Sequence, residues 1–210
     1  MNILNVVKVV VGPLATNCYI VWCESTRESC IIDPGFEGEV IIERVEDLDL
    51  HVTTLLCTHA HFDHIGAASF IRDRFEAKLC IHEADTPYLD TYSRMAEDFG
   101  FNRVDTPSPD ILLKDGVILR IGESKLKIIH TPGHTPGSCS IISEGRVFTG
   151  DTLFSGSTGR WDLPGGSFYY LKLSLKRLMM LPTDTLILPG HGPYTTIWRE
   201  RMYNPLIRCL

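Results

Sequence analysis

Apolar and polar positions follow two rhythms along the chain. Short β-branched runs bounded by Gly and Pro recur first: residues 6–11, stopped by Gly12-Pro13, then 18–23, then 29–33, closed by Pro34-Gly35. Runs of this composition and punctuation predict strands. Residues 37–48 change period, with apolar side chains at 40, 41, 42, 45 and 48 and charges between them, which predicts an amphipathic helix. Residues 53–58 return to a short apolar run and read as a buried strand. A helix is expected from about residue 65 to about residue 75, followed by a strand over 78–81. The stretch 83–109 keeps no single period and predicts a helix or two of undefined ends.

The second half repeats the style. Residues 117–121, 125–130, 138–142 and 146–148 read as strands. Residues 167–180 carry apolar positions at 168, 171, 175, 178 and 179, one face of a helix. A short strand over 185–188 ends at Pro189-Gly190-His191. No sequence repeat of fixed short period is present, which argues against a solenoid. No shift of composition marks a linker. One two-layered or sandwich-like α/β domain over residues 1–210 is the simplest account.

Composition narrows the class. The chain has 210 residues, 44% hydrophobic and 22% charged, the profile of a globular protein able to bury its core without disulfides. The net charge of −6 weighs against nucleic acid or an anionic membrane surface as a partner. No apolar stretch approaches the roughly 20 residues of a membrane span. The apolar residues 1–11 carry Asn2, Asn5 and Lys8 and lack a cleavage signal, so they read as a first strand. Seven cysteines, with no Cys-x-x-Cys pair, sit mostly in strand-like runs and read as reduced thiols of a cytoplasmic protein.

The chemistry concentrates in Thr58-His59-Ala60-His61-Phe62-Asp63-His64-Ile65-Gly66, where four potential metal ligands fall within six residues. In an extended segment i and i+2 point the same way, so His59 and His61 can grip one ion. Asp63 and His64 fall at the turn into the helix and can face a second position. Three further candidates follow strand ends and stand beside Gly or Pro: His134 in Thr131-Pro132-Gly133-His134-Thr135-Pro136-Gly137, Asp151 after Gly150, and His191 in Gly190-His191-Gly192. Five His and two Asp exceed the four ligands of a structural zinc site. Two ions sharing one carboxylate would use them all. The isolated His51, His82 and His130 read as structural, with an outer role for His130 left open.

The pattern Thr-His-x-His-x-Asp-His with His134, Asp151 and His191 resembles the metallo-β-lactamase superfamily over nearly the whole chain. Within it the sequence is similar to the glyoxalase II-like, hydroxyacylglutathione hydrolase group. The resemblance implies an αββα sandwich with two divalent ions at one edge, zinc foremost, with iron or manganese as the other candidates. By resemblance His59, His61 and His134 would hold the first ion, Asp63, His64 and His191 the second, and Asp151 would bridge them. It further implies hydrolysis of a small thioester or ester of the S-lactoylglutathione type by a hydroxide held between the ions. Asp63 would orient that hydroxide.

Two departures qualify the likeness. Only 19 residues follow His191, too few for the helical glutathione-binding region of the longer members. Arg160, nine residues after Asp151, stands where those members place a basic glutathione contact, but the aromatic they carry two positions on is Asp162 here. The segment Gly159-Arg160-Trp161-Asp162-Leu163-Pro164-Gly165-Gly166 resembles a short bacterial and archaeal branch. Arg160 is thus read as a contact for a substrate carboxylate, with an ion pair to Asp162 as the competing role. The runner-up function is a persulfide dioxygenase of the same fold, using one iron on two His and one Asp. A metal-binding module without activity and a nucleic-acid-processing member are the remaining alternatives.

Overall fold

A computed structural model describes residues 4–210. The first three residues of the apolar N-terminal segment lie outside the described residues. Strands β1 (Leu4–Val11), β2 (Thr16–Cys23), β3 (Glu28–Ile32), β4 (His51–Leu56), β5 (Lys78–His82) and β6 (Ile111–Leu113) form one six-stranded sheet in that order. Strands β7 (Ile118–Ile121), β8 (Ser124–His130), β9 (Cys139–Ser143), β10 (Arg146–Gly150), β11 (Leu186–Pro189) and β12 (Thr195–Thr196) form the second, in the order β12-β11-β10-β9-β8-β7.

Both sheets are buried on two faces, and the period-2 alternation of the strands shows why. Tyr19, Val21, Cys30, Ile32, Leu56 and Cys80 meet Leu126, Ile128, Cys139, Ile141, Phe148 and Leu188 between the sheets. Their neighbours Cys18, Ile20, Ile31, Leu55, Leu79 and Ile81 face the opposite way. There they pack with Ile41 and Val45 of α1 (Gly38–Asp47), Ile71 of α3 (Ala68–Phe75) and Tyr92 of α4 (Leu89–Asp98). On the other sheet Ile129, Val147 and Ile187 turn outward onto Leu171, Leu175 and Leu178 of α5 (Phe168–Leu178). Three parallel cores result, and the architecture is a single αββα domain. Among the described residues no helix is long and apolar enough to cross a membrane.

Three details differ from the sequence reading. The helix expected from about residue 65 begins earlier, as α2 (Phe62–Ile65), and breaks before α3. Ala67 donates its amide to Pro34 O at 3.0 Å, a tertiary bond that diverts the helical ladder. The undefined stretch resolves into a 3₁₀ turn over Glu83–Tyr88 followed by α4. The C-terminal residues fold into α6 (Ile197–Tyr203) and α7 (Pro205–Arg208). Buried Glu200 accepts from Thr195 Oγ1, Gly156 N and Asn204 Nδ2 at 2.6, 2.9 and 2.8 Å, so these helices brace the loop that follows β10.

His82 and His130 end β5 and β8 and stack across the sheets at 4.1 Å, 11° from parallel. His82 Nδ1 accepts from Ala84 N at 3.3 Å, a bond that requires the unprotonated nitrogen. Burial, then the neighbouring His130, lower the His82 pKa to about 4. An unfolded His titrates near ~6.5. Between these values the unfolded chain takes a proton that the folded one refuses, so stability falls as pH drops from about 6.5 to about 4. Replacing His82 with Gln should flatten this limb by at most ~1.4 kcal/mol per pH unit, read as the urea-unfolding free energy from pH 7 to 4.

Candidate metal centre

All seven predicted ligands meet at the edge of the sandwich where strands of both sheets end. His59 and His61 follow β4, Asp63 and His64 lie in α2, and His134 follows β8. Asp151 follows β10 and His191 follows β11. Parallel β10 and β11 shift register between Phe148 and Gly150. This irregularity, with Gly150 at φ 47°, turns Asp151 toward the histidines.

The ligand atoms of three trios each lie within 4.8 Å of one another: His59, His61 and His134; His59, His64 and Asp151; Asp63, His64 and His191. Donors around a tetrahedral ion with bonds of about 2.0–2.1 Å stand roughly 3.3 Å apart. The second cluster has this spacing. His64 Nε2 is 3.3 Å from His191 Nε2 and 3.5 Å from Asp63 Oδ2, and His191 Nε2 is 3.3 Å from Asp63 Oδ2. Asp151 spans both clusters, with Oδ1 at 3.3 Å from His64 Nε2 and Oδ2 at 3.5 Å from His134 Nε2. In the first cluster His61 Nδ1 and His134 Nε2 approach to 2.8 Å. His59 Nε2 and Asp151 Oδ1 are buried without a hydrogen-bond partner. Orphaned donors converging at this spacing fit two divalent ions.

The outward nitrogens explain why the inward ones are free. His64 Nδ1 donates to Asp33 Oδ2 at 3.0 Å, His134 Nδ1 to Arg160 O at 2.7 Å, and His191 Nδ1 to Leu14 O at 3.1 Å. His59 Nδ1 donates to Thr58 Oγ1 at 3.0 Å, which in turn donates to Asp33 Oδ2 at 2.8 Å. Each bond holds the ring proton on Nδ1 and leaves Nε2 as a lone pair aimed inward. Thr16 Oγ1 donates to Asp63 Oδ2 at 3.1 Å. Asp33, Thr16 and the Leu14 carbonyl have no role in the sequence reading, and Thr58 stands there only as the first residue of the motif. The one available signal was Asp33 at a strand end before Pro34-Gly35. His130 does take an outer place: its Nε2 donates to Pro136 O at 2.8 Å, in the turn that carries His134.

Electrostatics divide the centre. Burial, reinforced by neighbouring imidazoles, holds His59 and His61 well below the ordinary histidine range, and burial lowers His134 despite Asp151. Burial also works against a charged His64, but Asp63, Asp151 and Asp33 overcome it and raise its pKa. His191 is likewise raised, by its bond to Asp63 and by Asp151 against burial. Burial opposes charge on Asp63 and Asp151 too, yet His64 keeps both below the usual carboxylate range.

Arg160 enters through its backbone as well as its side chain. Its carbonyl accepts from His134 Nδ1, and the residue is among those that line the cleft over the centre. That guanidinium pairs with Asp162 through Nε and Nη2, both at 2.9 Å, and both side chains are about 60% exposed. The ion pair named as the competing role is therefore present.

Fold and site together define a metal-binding αββα protein of the hydrolase type. The profile of the metallo-beta-lactamase superfamily matches residues 11–191, and the chain belongs to that superfamily. It is 37% identical to "Hydroxyacylglutathione hydrolase GloC" of Haemophilus influenzae, over 97% of this chain and 98% of that one. It is 36% identical to "Probable metallo-hydrolase YqgX" of Bacillus subtilis, over 94% of each. Among solved structures, the BLEG-1 B3 metallo-beta-lactamase superposes with a TM-score of 0.90 at 36% identity, covering 97% and 99% of the two chains. TTHA1623 in a di-iron-bound form gives 0.88 at 36%, covering 95% and 98%. ETHE1 from Myxococcus xanthus gives 0.82 at 30%, covering 96% and 83%.

Two glycines at the rim separate space from conformation. A Cβ on Gly190 would lie 2.4 Å from Asp151 Oδ1 and 2.7 Å from His64 Cε1. Gly192 has φ +77° and nothing within 4 Å of such a Cβ. Gly190→Ala should cost bound metal, measured by elemental analysis of folded protein. Gly192→Ala should keep its metal and lose roughly 1–2 kcal/mol of stability from left-handed backbone strain.

Proposed function

We propose that the chain is a dinuclear metallohydrolase cleaving a small thioester or ester of the S-lactoylglutathione type. The observation that carries this reading is the complete second cluster, Asp63, His64 and His191, at coordination spacing beside a bridging Asp151. The GloC name of a relative supports the substrate class, and the di-iron form of TTHA1623 supports two ions and keeps iron beside zinc and manganese as the metal.

When bound, two divalent ions would supply an acidified water as nucleophile and polarise a substrate carbonyl. The chain's own residues do the rest. His59, His61 and His134 would hold the first ion and Asp63, His64 and His191 the second, with Asp63 held in place by the Thr16 hydroxyl. The cleft, about 290 Å³, is walled by Leu14, Phe62, Met95, Phe99, Phe154 and Leu163, which exclude bulk water and suit a compact acyl group. Apart from five of the seven ligands, His61, Asp63, His134, Asp151 and His191, the polar residues of its lining are Thr158 and Arg160. A thiolate leaves without protonation, so a cleft poor in general acids suits a thioester better than an amide. Arg160 lies where it can take a substrate carboxylate in exchange for Asp162.

A small-molecule substrate, rather than nucleic acid or a membrane, agrees with the net charge of −6. The seven free cysteines, six of them buried, agree with a reducing cytoplasmic setting. The second reading, a persulfide dioxygenase, draws on the likeness to ETHE1. One experiment separates the two: metal content per chain, with S-lactoylglutathione cleavage and oxygen uptake on glutathione persulfide measured on the same sample. Two ions with thioester cleavage are expected. One iron with oxygen uptake and no cleavage would overturn the proposal. In the active sample, Asp151→Ala should lower kcat/KM by roughly 100-fold or more. Arg160→Ala should raise KM for carboxylate-bearing substrates with kcat kept, and Asp162→Ala should lower that KM a few-fold at most.

A further inference from the structure

We propose that Asp85 is the positioning residue of the first metal cluster, fixing the distance between the loop that carries His59 and His61 and the loop that carries His134. The proposal concerns ion binding alone and stands whatever substrate the site takes.

Asp85 lies in the 3₁₀ turn after β5 and is wholly buried. No lysine, arginine or histidine forms a salt bridge with it among the described residues. An unpaired buried carboxylate is costly unless hydrogen bonds compensate it, so its donors locate its role. Oδ2 accepts from Ala60 N at 3.0 Å and from Thr135 Oγ1 at 2.9 Å, and Oδ1 accepts from Gly137 N at 2.6 Å. Ala60 stands between His59 and His61, and Thr135 follows His134. A single oxygen thus joins the two chain segments that supply all three ligands of the first cluster, 50 residues apart between Asp85 and Thr135.

Gly137 gives independent evidence of the fit. A Cβ there would lie 2.5 Å from Asp85 Cγ and 2.7 Å from its Oδ1, so the loop backbone is closed directly onto the carboxylate. The second cluster is organised elsewhere. His64 is held by Asp33 and His191 by Leu14 O, and neither contact involves Asp85. Loss of the Asp85 clamp should therefore loosen one cluster and spare the other.

Asp85→Asn keeps shape and volume but turns an amide NH₂ toward a backbone N–H, at Gly137 or at Ala60 depending on its orientation. Thr135→Val removes one link and leaves the carboxylate. The metal-free protein is titrated with ¹¹³Cd²⁺ and followed by NMR, each cadmium resonance being assigned through its coupling to histidine ring protons. Wild type should fill two resonances. In Asp85→Asn the resonance coupled to His61 and His134 should need roughly 10–100-fold more cadmium. The resonance coupled to His64 and His191 should fill as in wild type. Thr135→Val should move the same resonance in the same direction by less, and it decides the question if Asp85→Asn does not fold. Equal weakening of both resonances, or no change in either, would overturn the proposal.

Discussion

The centre depends on one buried carboxylate, Asp33. It accepts from Thr58 N, from Thr58 Oγ1 and from His64 Nδ1 at 2.7, 2.8 and 3.0 Å. Through the direct bond it orients a ligand of the second cluster, and through the Thr58 hydroxyl it orients His59 in the first. The residue holds a left-handed backbone, φ 55°, at the end of β3. A non-glycine residue pays for that conformation, and such strain persists where surrounding contacts over-determine it. Here the contacts are the strand register that sets β3 beside β4, the two Thr58 donors just past β4 and the His64 donor from α2. Sheet pairing and metal geometry are thus one problem: a slip of β4 against β3 would carry Thr58 and both histidine rings away from their anchor.

The ligands were legible in the sequence because their spacing is local and their setting repeats: a strand, a Gly or Pro, then a His or Asp. The partners behind them were not. Asp33 stands 31 residues from His64 and Asp85 stands 25 from Ala60, and only the parallel pairing of β3, β4 and β5 brings them together. A sandwich-like α/β domain was legible from β-branched runs punctuated by Gly and Pro, whereas the αββα arrangement came with the family resemblance that the ligand motif carries. The short β6 and β12, and the single-turn α7, are too brief to show a period. The break between α2 and α3 rests on a bond to Pro34 that no window over residues 62–75 contains.

Burial is the second constraint. It disfavours charge on every histidine of the centre and prevails at His59, His61 and His134, whereas neighbouring carboxylates outweigh it at His64 and His191. The two halves of the centre therefore differ in surroundings, three imidazoles in one and imidazoles with carboxylates in the other.

Arg160 divides its labour between main chain and side chain. The carbonyl that steadies His134 belongs to the backbone and is indifferent to the residue it carries, whereas the exposed guanidinium is paired with Asp162 and takes no part in that bond. Evolution can therefore exchange the side chain here without disturbing the ion beneath it. A fold of this kind is free to drift in what it recognises while its hydrolytic core stays fixed, and descendants with different diets can arise from changes at one exposed position.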